Sequence, residues 1–531
     1  MELEMAEKKS GKSLPIANQV QESAFAELGL GKTIQGICEE IREIYLWDQI
    51  PWVIGYSGGK DSTAILQLIW IAIRDLPSEQ RIKPVHVIST DTLVEQPLVA
   101  AWVDASHAKM REAAIEQNMP FTPHKLMPAV RDTFWVNLIG KGYPAPRKLF
   151  RWCTSRMKIS PSNEFIRRVI RDNGEALLVL GTRKAESHRR NQRMAKTEAV
   201  SRRAFLNERL TLNTNLPNSK VYTPIEDWTN DDVWLFLMQV KNPWGYSNKS
   251  LLGMYQGASA DGECPLVVDT STPSCGNSRF GCWVCTVVDK DRSMEAMIKN
   301  DDEKVWMTPL LELRNDLGNM DLDRSRRDYR RMNGKVQLYG NDKSNLDIIP
   351  GPYTKETREY WLQRLLETQK TVREIGPPEM SQLELISTQE LLEIRNIWLY
   401  EKHEFDDSLP KIYEQVIGTP LALPPADDQL LRGDDWQLLA EICGDDPVFF
   451  QLQTSLLDVE RQHRGMCRRA GIYQALEDRL RSAQFSSQEE ALTTRRDEER
   501  RRNNAEESPH RRNGVQPSLF QYDVDLEGTE T

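Results

Sequence analysis

From about residue 50 to residue 235, short apolar runs alternate with longer helical stretches. WVIGYS (52–57), PVHVIST (84–90) and EALLVLGT (175–182) predict strands. AILQLIWIAIRDL (64–76), VAAWVDASHAKMREAAIEQ (99–117) and SNEFIRRVIRDNG (162–174) predict the helices that cross between them. That order predicts an α/β fold with a mostly parallel sheet and helices on both faces. Ligands in such sheets bind beyond the carboxyl ends of the strands, where SGGKDST, STDT and GTRKAES all fall, so three loops are expected to meet at one crevice.

The flanks change character. Residues 1–45 read as a helical extension of the 46–240 domain, and 241–295 as a loop-rich insert carrying four of the eight cysteines. Residues 296–484 are mostly helical, interrupted by turn-rich segments at 332–353 and 406–428. Beyond 485 the charged sequence TTRRDEERRRNNAEESPHRRNGVQ buries too little apolar surface to fold alone, so a tail is expected, with PSLFQYDV as a docking peptide.

Composition changes this picture little. With 39% hydrophobic and 28% charged residues the chain is ordinary for a globular protein, and a net charge of −10 argues against a generally basic nucleic-acid binder. The start MELEMAEKKSGKS lacks the apolar core of a secretory signal, and no run of about 18 apolar residues suggests a membrane span, so a cytoplasmic protein without membrane contact is expected. Cysteines in that reducing compartment serve metals, catalysis or packing rather than disulfides. Cys38, Cys443 and Cys467 lie in helical stretches and read as core residues.

Ser57 to Thr63, SGGKDST, is a glycine-rich turn between a strand and a helix N-terminus, where unpaired backbone N–H groups suit an anion. Ser57, Ser62 and Thr63 add hydroxyls and Lys60 a charge, while Asp61 can cap the helix or hold Mg2+. The spacing is not that of the kinase-type phosphate loop. GLGKT at 29–33 ends like that loop, but Ala26 stands where its first glycine belongs, so it reads as a polar loop between helices. Asp91, at a strand end, suits a ribose hydroxyl, Mg2+ or a helix cap. Arg183 and Arg190, with Glu186 between them, suit forked contacts to phosphate. Asp231 and Asp232 fit a helix start capped by Thr229 or Asn230, which leaves Asp227 as a candidate ligand-binding residue.

Cys264, Cys275, Cys282 and Cys285 form C-x10-C-x6-C-x2-C within 22 residues, a spacing that suits zinc or an iron–sulfur cluster. Cys153 stands apart beside Arg151, Arg156 and Lys158, whose charges are expected to favour its thiolate.

Four segments resemble one family. GTRKAESHRR (181–190), TPIEDWTNDDVWLFL (223–237), STDTLVEQP (89–97) and RWCTSRMKISP (151–161) are similar to the phosphoadenylylsulfate reductase branch of the PP-loop ATP pyrophosphatases, over roughly residues 45–240. The resemblance implies an adenine nucleotide alpha-hydrolase-like fold. It implies ATP on Ser57, Gly58, Gly59, Lys60, Asp61, Ser62 and Asp91, and substrate on Arg183, Glu186, Ser187, Arg190 and Asp227. Lys60, Asp61, Cys153 and Arg183 are then the catalytic candidates. It favours [4Fe–4S] over zinc on Cys264, Cys275, Cys282 and Cys285.

Reductases of the branch carry a glutamate–cysteine–glycine motif near the C-terminus, and cluster-bearing ones a cysteine pair where this chain has Trp152–Cys153–Thr154. No cysteine follows Cys467, so reduction is disfavoured. ATP site and cysteine insert together resemble the sulfurtransferases of bacterial DNA phosphorothioation, a restriction-modification type of defence. That resemblance implies DNA as substrate, a cysteine desulfurase as sulfur donor, and partner subunits including an ATPase. Alternatives are a reductase, a tRNA-thiolating enzyme or a regulatory iron–sulfur protein. The runs RKLFR (147–151), GTRKAESHRR and RSRRDYRR (324–331) could supply a DNA-facing charge, or be solvated helix faces.

Overall fold

The computed structural model describes residues 22–184, 210–213, 216–258, 280–340, 346–402, 404, 406–422, 434–444, 446–466 and 468–507. Glu186, Ser187, Arg190, Cys264, Cys275, Cys467 and the segment PSLFQYDV lie outside them.

The three expected strands are β1 (Trp52–Gly55), β2 (Val85–Thr90) and β4 (Ala176–Val179). Three more join them: β3 (Phe121–Leu126), β5 (Leu210–Leu212) and β6 (Ser219–Tyr222). The sheet order is β3-β2-β1-β4-β6-β5, parallel throughout except for β5, which runs antiparallel to β6 at one edge. Trp52, Val53 and Ile54 are fully buried, so the central strand is apolar on both faces, as a doubly covered parallel sheet requires. On one face pack α1 (Gly29–Trp47), α2 (Lys60–Arg74) and α3 (Pro97–Glu116), together with α5 (Asn230–Gln239). On the other, α4 (Ser160–Asn173) lays Ile166 and Val169 against Val53 and Ile88.

GLGKT is not a loop. Gly29 to Thr33 form the first turn of α1, because the helix carries Ile37, Cys38, Ile41 and Tyr45 into the sheet's own core.

A second core lies beside the first. It joins residues 134–157 to α7 (Arg292–Asn300), α8 (Thr308–Leu317), α9 (Lys355–Ile375) and α10 (Thr388–Asn396). Met254 and Phe280 touch both cores. The charged stretch beyond 485 also departs from expectation: Gln488–Glu507 is helical, with Ala491 buried beside Phe485, Val336 and Ile348. Its few apolar residues suffice because a hairpin, β7 (Leu338–Tyr339) with β8 (Asp347–Ile348), provides their partner. The turn-rich reading of 406–428 likewise misses a helix at Ser408–Ile417. Among the described residues no helix is long and apolar enough to cross a membrane.

Candidate functional site

The loops that follow β1, β2 and β4 line one cavity of about 1110 Å³, and with them Ser57, Gly58, Gly59, Lys60, Asp61, Ser62, Asp91 and Arg183. Gly58 sits at φ +74°, and a Cβ there would lie 2.6 Å from Val103 Cγ2 on α3. Glycine is therefore required twice over, by conformation and by space. Ser62 Oγ donates to Gly59 O at 3.0 Å and accepts from Ser57 N at 3.2 Å, which ties the turn to the first residues of α2. Gly181 is required by proximity, since its Cβ would meet Asp61 C at 3.0 Å.

Asp61 is the pivot of the loop. One carboxylate oxygen accepts from Lys60 Nζ at 2.9 Å, the other from Arg183 Nε at 2.7 Å. Arg183 is 4% exposed and also donates to Trp228 O at 3.2 Å. It thereby fastens the loop after β4 to the phosphate turn and to the start of α5. That helix opens on a capping box of Thr229 and Asp232, with Asp232 also accepting from Ala24 N at 3.0 Å. Asp232 is thus structural. Asp227 does not line the cavity: its carboxylate meets Lys184 Nζ at 2.8 Å on the outside.

Opposite, Asp91 accepts from Leu93 N and pairs with Lys125 Nζ, each at 2.8 Å. Lys125 reaches Asp104 as well, at 3.0 Å. Deeper in, Lys158 Nζ lies 3.2 Å from Glu95 Oε1. Both residues line the cavity, and behind them stands the cysteine turn. Glu95 and Cys282 face each other as an antiparallel bridge, Thr92 Oγ1 lies 3.3 Å from Cys282 Sγ, and Cys285 N donates to Cys282 O at 3.0 Å.

At Cys153 burial opposes the thiolate expected from its basic neighbours. Burial raises its pKa more than the Thr154 hydrogen bond and the Lys158 charge lower it. Arg156 is spent elsewhere, on Asn137 and Tyr143. Cys282 is pushed up to about 12, by burial first and by the Glu95 charge second. Binding a metal at such thiols requires them to give up their protons. Cys153 and Cys282 each interact electrostatically with Cys285, so the three gather behind one wall of the cavity. Among the described residues no three His, Cys, Asp or Glu side chains form a complete metal site. A close C-x-x-C turn with half-buried soft donors nonetheless has the chemistry to contribute to an iron or zinc site.

RSRRDYRR does not form an open basic face. Arg324 pairs with Asp347, Arg326 with Asp316, Arg327 with Asp323 and Arg330 with Asp328, while Arg331 donates to Pro350 O. The RKLFR turn differs. Arg147 is anchored on Asp323, but Lys148, Leu149 and Arg151 project outward, Leu149 fully exposed.

Sequence reasoning missed Glu95, Lys125, Lys158 and Tyr255 as cavity residues. Only the helix-to-strand order around β3 could have indicated Lys125.

Residues 51–287 match the model of the phosphoadenosine phosphosulfate reductase domain. An uncharacterized protein of Methanocaldococcus jannaschii is 23% identical over 266 residues, 50% of this chain, and the chain spans only 42% of that relative's length. Two solved structures are also similar. Phosphoadenylyl-sulfate reductase from Candida auris, a phosphate complex, is 14% identical with TM-score 0.25, covering 42% of this chain and 91% of its own. The U34-tRNA thiolase NcsA from Methanococcus maripaludis, with its [4Fe–4S] cluster, is 13% identical with TM-score 0.25, covering 54% and 79%.

Proposed function

We propose that this chain, whose residues 51–287 form a phosphoadenosine phosphosulfate reductase-like PP-loop domain, uses ATP to activate a DNA backbone phosphate for sulfur insertion, the role of DndC in phosphorothioation. The observation that carries the reading is the shared wall: Glu95 and Lys158 face the phosphate-loop cavity on one side and Cys282 on the other.

The backbone N–H groups at the start of α2, with Lys60 and Arg183, hold the phosphates of ATP. Asp61 and Asp91 are the carboxylates that would hold Mg2+, which supplies charge neutralisation at the phosphates. A DNA phosphate oxygen attacks the α phosphorus, the bond to the bridging oxygen breaks, and pyrophosphate leaves. That oxygen, now part of an adenylate, has become a good leaving group. A sulfur nucleophile then forms its bond to the DNA phosphorus and AMP departs with the oxygen. Lys158 is placed to offset negative charge on both reactants. A cluster on Cys264, Cys275, Cys282 and Cys285 would supply a soft site for sulfur beside the activated phosphate. With persulfide from a cysteine desulfurase as the source, its terminal sulfur bonds to the DNA phosphorus. A thiol reductant then cleaves the remaining S–S bond, two electrons leaving phosphorothioate on the DNA and a thiol on the carrier. Partner subunits, including an ATPase, bring DNA to the site. Among the described residues of the basic runs, Lys148 and Arg151 are exposed without an ion pair and are the ones we assign to receive it.

Pyrophosphate release, measured with duplex DNA, tRNA or adenylylsulfate, tests the reading. Release stimulated by DNA, with phosphorothioate linkages in the digested product, is expected. Stimulation by tRNA alone points to thiolation, release of AMP and sulfite from adenylylsulfate with a thiol reductant and without pyrophosphate points to reduction, and either sinks the DNA assignment.

A further inference from the structure

Tyr255 touches both the phosphate loop, at Lys60, and Phe280, just before the cysteine turn. It lies near the end of α6 (Asn248–Gly257) and is 9% exposed. Its hydroxyl accepts from Lys60 N at 3.4 Å, and the Lys60 ammonium lies 5.9 Å from its ring centroid. A Cβ on Gly59 would sit 3.2 Å from the same hydroxyl, so the glycine admits the tyrosine as well as any ligand. Lys60 N is the first backbone donor of α2, one of the orphan N–H groups with which a helix end binds anions. Trp234 holds the ring edge-on at 5.1 Å and Phe280 at 4.7 Å. Phe280 precedes Cys282 by two residues and packs against both cores.

We propose that Tyr255 is a placeholder in the nucleotide-free protein: its hydroxyl oxygen takes the position of a phosphate oxygen, and ATP displaces it, moving Phe280 and the Cys282–Cys285 turn. This rests on the reading that ATP binds the phosphate loop. A charged phosphate oxygen accepts from a backbone N–H about twice as strongly as a neutral phenol, so ATP wins the donor. Burial keeps the phenol neutral, its pKa pushed up to about 12. Because the ring is wedged between Trp234 and Phe280, the hydroxyl cannot withdraw alone; the aromatic contact shifts with it. Nucleotide occupancy is thereby reported to the cysteines before any sulfur arrives.

The test is equilibrium ATP binding to the full chain and to Tyr255→Phe, with hydrogen exchange of residues 280–290 followed in both. Loss of the competing hydroxyl is expected to tighten ATP binding about fivefold, the equivalent of one ordinary hydrogen bond. Exchange in 280–290 responds to ATP in the parent. In Tyr255→Phe it already resembles the ATP-bound parent before ATP is added. Phe280→Leu, which loosens the wedge, loses the response at 282–285. Weaker or unchanged ATP binding in Tyr255→Phe overturns the placeholder while leaving the ATP site intact. No ATP binding by the parent chain overturns the nucleotide reading, and the placeholder with it.

Discussion

At the scale of single residues, Arg183 decides whether Asp61 is held in place. Its guanidinium reaches Asp61 and Trp228 O in two directions, which a lysine ammonium cannot reproduce. Arg183→Ala leaves Asp61 to Lys60 alone among these two cations and unpairs a buried carbonyl. We expect a loss of about 2 kcal/mol in urea unfolding, below the range for fully buried pairs because the Asp61 side chain is 22% exposed. ATP binding falls with it, and Arg183→Lys restores less than half of either. His107 governs acid stability. It is 2% exposed, Nε2 lies 2.8 Å from Ser89 Oγ, and burial lowers its pKa from 6.5 to about 4. Between those values the unfolded chain binds the extra proton. The stabilisation is therefore complete above pH 6.5 and is lost as pH falls toward 4, amounting to about 3 kcal/mol. Urea unfolding at a series of pH values checks this, and His107→Gln should flatten the slope in that window. Of the two, only Arg183 is legible in sequence, because it follows a strand within a motif. His107 sits in an ordinary helix, and its environment is made by β1 and β2.

At the scale of elements, sequence patterns serve where burial is continuous and fail where an element is half polar. β1, β2 and β4 are apolar runs and are readable. β3, FTPHKL, forms the sheet edge, so it tolerates Pro123, His124 and Lys125 and carries no apolar signal. GLGKT misleads because its glycines and lysine suggest a loop, while Leu30 alone of its residues joins the apolar stripe that runs on through Ile34, Ile37 and Ile41. The two glycine sites diverge in their expected response. A Cβ on Gly31 would meet nothing within 4 Å, and Gly31→Ala should stabilise α1 by about 0.5–1 kcal/mol without touching ATP binding. Gly58→Ala clashes with Val103 at positive φ and should abolish ATP binding. Thermal melts with ATP titrations distinguish them. The 147–150 turn makes a further test of DNA binding. Two backbone hydrogen bonds between Arg147 and Phe150, each 3.0 Å, close it, and among the described residues Lys148 and Arg151 form no ion pair. Replacing both with glutamate should reduce the salt dependence of DNA affinity by roughly two phosphate contacts, read by anisotropy across a salt series, with ATP affinity unchanged.

At the scale of the molecule, two cores meet at the site, and the proposed chemistry draws on both. The sheet core carries the phosphate loop; the helical core carries the cysteine turn, which has almost no regular structure of its own. Cys282 to Asp289 therefore need an external scaffold, and α8 supplies it through one side chain. Arg314 is 1% exposed and donates to Cys285 O at 3.0 Å, to Asp289 O at 2.9 Å and to Val288 O. No sequence pattern announces this, since an arginine on an amphipathic helix ordinarily faces water. Arg314→Met keeps the aliphatic packing but leaves the carbonyls of Cys285, Val288 and Asp289 without this donor, each such loss costing about 1–3 kcal/mol where water cannot replace it. The cysteine turn should then loosen while the phosphate loop, built on the other core, keeps its geometry. We expect anaerobically purified Arg314→Met to carry much less iron and sulfide per folded chain than the parent, yet to bind ATP with the parent's affinity. If iron, sulfide and ATP binding fall in parallel, the two cores are one cooperative unit and this division of labour between them does not hold. If metal alone is lost, the helical region is identified as the scaffold that holds the sulfur chemistry against an otherwise complete nucleotide site.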